Sequence, residues 1–109
     1  MNLTELKKLL ENSTEENIEF DEPHLSLRCK ENNIKKEQIV YTLLHETPKL
    51  THFMEDRQNV FKLYFSISKN KQLKIIIDLF KPNKIFVRTI KILDKRLYKN
   101  IKFIKRGIY

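Results

Sequence analysis

Glycine is almost absent from this chain of 109 residues: Gly107 is the only one. The P-loop and the dinucleotide fingerprint both need glycines where backbone closes on phosphate, so this scarcity rules them out and removes nucleotide-cofactor enzymology from consideration. Cysteine is equally scarce. Cys29 alone provides no intramolecular disulfide, no C-x-x-C metal half-site and no redox pair, and within a helix it reads as a small buried side chain rather than a thiolate. The three histidines, His24, His45 and His52, are not at i, i+4 spacing to one another or to Cys29, so neither a metal site nor a cofactor is expected. No serine or cysteine nucleophile has a visible partner. Long apolar runs are missing too, none approaching the ~18 residues of a membrane span. The opening "MNLTELKKLL" starts a polar amphipathic helix instead of a charged region followed by an apolar core, so a cytoplasmic protein without a membrane partner is expected.

What the chain does have is polarised charge. Residues 1–58 hold 8 Lys/Arg against 12 Asp/Glu, and residues 59–109 hold 14 against 2, so the halves carry −4 and +12 of a formal +8. A lysine-rich composition throughout would have made both halves basic. A half this cationic attracts phosphate backbones, anionic surfaces or an acidic protein in a salt-dependent way.

The patterning predicts one α+β domain over 1–109, with two to three helices followed by a sheet of about four antiparallel strands. Leu3, Leu6, Leu9 and Leu10 share a helical face, and Asn2 with Glu5 has capping spacing. After a short extended piece, "NIEF", Pro23 and the acids Asp21 and Glu22 suit the start of a second helix carrying His24 to about Glu31. A third follows the Asn32-Asn33 break and ends at Pro48. From residue 50 to 93 the period becomes two, in "KLTHFME", "NVFKLYFSIS", "QLKIIIDLF" and "KIFVRTIKIL", separated by turn-like "DRQ", "KNK" and "KPN". Phe61, Leu63, Phe65 and Ile67 form one face of their strand, which points Lys62 and Tyr64 outward. Arg88 breaks the alternation of the last strand, as a bulge or two-sided burial would. Beyond Asp94, Leu97, Ile101, Ile104 and Ile108 alternate with Lys95, Arg96, Lys99 and further cations as in a basic amphipathic helix, residues 94–109.

The pattern His-x-x-x-Arg-x-x-x-Asn-x-Ile in "HLSLRCKENNI", followed by a helix, "TPKL" and long hairpin strands, resembles a family of small proteins. Its members are related to the BrnT and RelE-type ribonuclease toxins of bacterial and archaeal toxin–antitoxin pairs. The resemblance covers about residues 18–93, the toxin-like core. His24, Arg28 and Ile34 match the motif, while Asn32 stands where a second basic residue is common.

The resemblance implies metal-independent cleavage of RNA, messenger RNA on the ribosome included, and inhibition by a cognate antitoxin covering the active face. Such cleavage needs a base or orienting group at the ribose 2′-hydroxyl, cations for the phosphorane and an acid for the leaving oxygen. His24, Arg28 and Arg88 are the catalytic candidates; Lys62, Tyr64, Lys91, Lys95, Arg96 and Lys99 are the nucleic-acid-binding ones. The plainer alternative makes His24 a helix-start residue and pairs Arg28 with Asp21 or Glu31. Two rival functions stand beside cleavage: a non-catalytic nucleic-acid-binding module with stacking tyrosines, and a protein-interaction subunit or homodimer.

Overall fold

The computed structural model describes residues 1–94. Lys95, Arg96, Lys99 and the expected basic helix lie outside the described residues, and Asp94 ends a strand paired with Lys71. Three helices precede most of the sheet: α1 (Leu3–Glu11), α2 (His24–Asn32) and α3 (Lys36–His45). The strands are β1 (Ile18–Phe20), β2 (Leu50–Arg57), β3 (Val60–Ser66), β4 (Lys71–Asp78) and β5 (Ile85–Asp94). The architecture is α+β, with five strands where about four are expected from the sequence.

Local chemistry sets the boundaries. Asn2 Oδ1 accepts the Glu5 backbone N–H at 2.8 Å, which caps α1. Asn33 takes a left-handed conformation (φ 52°) and stops α2; Asn59 and Asn83, at φ 65° and 58°, lie in the β2–β3 and β4–β5 connections. With no glycine nearby, asparagine fills each left-handed position, since its short polar side chain tolerates that region best among the alternatives. Helix α3 stops at His45, and a single 3₁₀ turn, Thr47–Lys49, carries Pro48 into β2.

The sheet order is β1-β5-β4-β3-β2. Strands β2 to β5 form the expected antiparallel meander. The additional strand comes from "NIEF", which pairs in parallel with β5 through Ile18–Ile85, Glu19–Phe86 and Phe20–Val87. Three residues are too few to show a period, so β1 is set by its partner instead of by its own sequence. Beyond Val87, Asn32 Oδ1 accepts the Ile92 backbone N–H at 3.0 Å, and Asn32 Nδ2 donates to the Arg28 carbonyl at 2.8 Å, so α2 is fastened along β5.

One face of the sheet is core. Phe61, Leu63 and Phe65 of β3, Leu73, Ile75 and Ile77 of β4, and Ile85, Val87 and Ile90 of β5 are buried against Leu6, Leu10, Leu25, Ile39 and Leu43 of the helices. Cys29 is buried with them, and burial pushes its thiol pKa up. The β4–β5 register shifts between Ile76 and Ile77: Ile77 opposes Val87 while Ile76 opposes Thr89, leaving Arg88 as the extra residue of a bulge. That accounts for the broken alternation. No helix among the described residues is long and apolar enough to cross a membrane.

Candidate nucleic-acid interface

The second face of the sheet carries the cations. Alternation that sends Leu63 and Ile75 inward sends Lys62, Tyr64 and Lys74 outward. Register then aligns them across strands: His52 opposes Tyr64, Tyr64 opposes Lys74, and Lys74 opposes Lys91. The adjacent row is Met54, Lys62, Ile76 and Thr89. Directly opposed side chains on one sheet face stand about 5 Å apart at Cβ, so each row is a contiguous strip.

His52 and Tyr64 form the aromatic end of their row, stacked in nearly parallel planes. Thr51 Oγ1 holds the stack from its edge, lying 3.0 Å from His52 Nδ1 and donating to the Tyr64 carbonyl at 3.1 Å. At the cationic end, Lys74 is partly buried between Lys62 and Lys91. Burial first, then repulsion from those two ammonium groups, lowers its pKa. Lys62 reaches Asp56 at 3.7 Å and Arg88 reaches Asp78 at 3.5 Å, both longer than hydrogen bonds. Among the described residues neither Lys74 nor Lys91 has a carboxylate partner. The strip therefore stores positive charge that an anion would relieve.

Arg28 approaches this strip from the side. A groove of about 380 Å³ separates Arg28, Glu31 and Asn32 of α2 from Lys74, Thr89 and Lys91. Arg28 Nη1 is 2.8 Å from Glu31 Oε2 in a half-exposed ion pair, the surface pairing that the sequence leaves open. His24, the first residue of α2, is exposed, does not line the groove, and its side chain has no hydrogen-bond partner among the described residues. The fold thus brings together Lys62, Tyr64, Lys91 and, at the margin, Arg28 and Arg88; His24 is not among the residues that line the groove.

Two members of the strip escape the sequence reading, Lys74 and His52. Lys74 sits between Leu73 and Ile75, and strict alternation would have placed it outward, but Ile76 on the same face blurs the signal in "QLKIIID". His52 becomes informative only once its register with Tyr64 is known. Among the described residues, no three His, Cys, Asp or Glu side chains cluster as a metal site would require. Family models, curated proteins and solved structures give no match to the chain.

Proposed function

We propose that this protein is RNA-directed and that the sheet face covered by no described helix is its binding surface. The observation that carries the reading is the row His52–Tyr64–Lys74–Lys91, where a stacked aromatic pair adjoins ammonium groups that have no carboxylate partner among the described residues. Single-stranded nucleic acid offers what such a row lacks: phosphates for the lysines and flat bases for the aromatic platform. An exposed sheet with unstacked bases laid across it also suits single strands better than a duplex, whose bases are paired and enclosed. Titration of single-stranded RNA at rising salt tests this. A steep negative dependence of log K on log salt is expected, and Lys74→Glu should abolish most binding at low salt. A flat salt dependence would count against the reading.

One observation favours a cleaving version of the same surface, as the toxin resemblance implies. The Tyr64 phenol opposes Lys74 across β3–β4 and Lys74 opposes Lys91 across β4–β5, so cations for a phosphorane and a hydroxyl able to orient a substrate oxygen stand in one row. In this reading Arg28 and Arg88 steady the phosphate from the margins, His24 has no direct role, and a cognate antitoxin would cover the strip. Incubation of RNA with purified protein in chelator, together with translation arrest on expression, distinguishes cleavage from binding. Intact RNA and undisturbed translation would leave the binding module alone.

A further inference from the structure

We propose that the groove at the β4–β5 end of the sheet face covered by no described helix is a guanine pocket. One base of a bound single-stranded RNA enters between Phe80 and Phe86 and is read by the Glu19 carboxylate. The proposal rests on the RNA-binding reading of the adjoining strip.

The groove, about 190 Å³, is lined by Glu19, Asp78, Phe80, Lys81, Lys84 and Phe86. Phe86 opposes Asp78 across β4–β5 and Glu19 across β1–β5, so the three form another transverse row of the face. Asp78 is four residues from Lys74 along β4, which places the groove about 13 Å from the Lys74 row, on the path of one strand crossing the sheet.

Phe80 is the most exposed large apolar side chain of the described residues, at 77%. It is presented by a pinned loop. Its own N–H donates to Asp78 Oδ1 at 2.8 Å, Asn17 Nδ2 donates to the Asn83 carbonyl at 2.9 Å, and Lys84 Nζ donates to the Glu16 carbonyl at 3.3 Å. An aromatic ring held out by its backbone near a second ring is suited to a flat π-system.

The polar groups select which one. Asp78 is already engaged by the Phe80 N–H and, at 3.5 Å, by Arg88. Glu19 is half-exposed and its carboxylate accepts no hydrogen bond among the described residues: its one partner there is Lys84, in a loose ion pair at 3.6 Å, beyond hydrogen-bond length, so its lone pairs remain available to donors. A carboxylate only accepts, so it is satisfied by a base with two adjacent donors. Guanine has them, N1–H and N2–H; adenine, cytosine and uracil each place an acceptor beside their donor. Lys81 and Lys84 at the rim would meet the flanking phosphates.

The test uses the full chain and labelled uridine octamers, either unmodified or with one central guanosine, adenosine or cytidine. The guanosine octamer should bind about tenfold more tightly than the other three, within the range of a bidentate base contact, and Phe80→Ala or Glu19→Gln should each remove the preference while keeping uridine binding within about twofold. Guanosine monophosphate should also shift the amide resonances of Phe80 and Phe86. Equal binding of all four octamers would overturn the pocket and leave the strip intact. Failure of every octamer to bind would overturn the strip and the pocket with it.

Discussion

His52 and Tyr64 stack across β2 and β3 with ring centroids 4.3 Å apart and planes 9° from parallel. The pair is assembled before any ligand arrives, so a base that extends it finds a preformed surface. Tyr64→Ala should weaken single-stranded RNA binding by about 1–3 kcal/mol, the worth of one base–aromatic stack. Tyr64→Phe should keep most of the affinity. Fluorescence anisotropy at fixed salt measures both.

Charge and stacking separate by their salt response. Replacing Lys62, Lys74 and Lys91 together with glutamine should reduce the slope of log K against log salt by about 2, at roughly 0.7 per phosphate contact on a single strand. Tyr64→Ala should leave that slope unchanged. Parallel loss of slope in the tyrosine variant would show that the row does not divide into these roles.

Lys74 makes binding and stability pH-dependent in opposite directions. Its pKa in the folded protein is lowered from the ordinary lysine value near 10.5, while the unfolded chain keeps that value. Between the two pKa values the unfolded state binds more protons, so this residue's contribution to stability rises with pH through that alkaline window. RNA phosphate favours the charged form, so affinity should fall as pH climbs through the same window. Lys74→Arg should flatten the binding profile, because a guanidinium does not titrate there. Calorimetry in buffers of different ionisation enthalpy would detect the linked proton uptake.

Asn32→Ala should destabilise the fold by about 1–2 kcal/mol, since it leaves the Ile92 N–H without its acceptor. Amide exchange at Ile92 should accelerate more than at Ile75 in the core of β4. Equal acceleration at both sites would indicate global unfolding.

Asn59 occupies the left-handed region at φ 65°. Asn59→Gly should leave the melting temperature close to that of the parent. Asn59→Val should lower stability by roughly 1–2 kcal/mol, because a β-branched side chain collides with its own backbone there.

The helices and meander are legible in the sequence wherever a period spans enough residues. Leu6 and Leu10 announce the buried side of α1, and Phe61, Leu63 and Phe65 announce that of β3. β1 is not legible as a sheet strand, since its parallel alignment with β5 depends on residues about 67 positions away. The site divides in the same manner. Outward Lys62 and Tyr64 follow from alternation, and its failure at Arg88 leaves a bulge and two-sided burial open, between which the β4–β5 register decides. The absence of His24 from the groove lining does not follow, because four-residue spacing puts it on the side of Arg28 without fixing how far along α2 the groove extends. Lys74 is hidden in the sequence because Ile76, on the same face, blurs the alternation of its strand.

The amide of Asn32 has a significance for self-association as well as for packing. Past Val87, the outer margin of β5 runs through Thr89, Ile90, Ile92 and Leu93, a β-prone stretch of the kind that recruits strands from other molecules when bare. By taking the Ile92 N–H, Asn32 ends the hydrogen-bonding ladder with a side chain that cannot continue it. At the opposite margin β2 uses other means: register irregularities flank its paired centre, and Glu55, Asp56 and Arg57 load its end with charge. A chain with so much isoleucine in its strands thus closes the exposed stretch of β5 and charges the end of β2, two places where strand recruitment would otherwise begin.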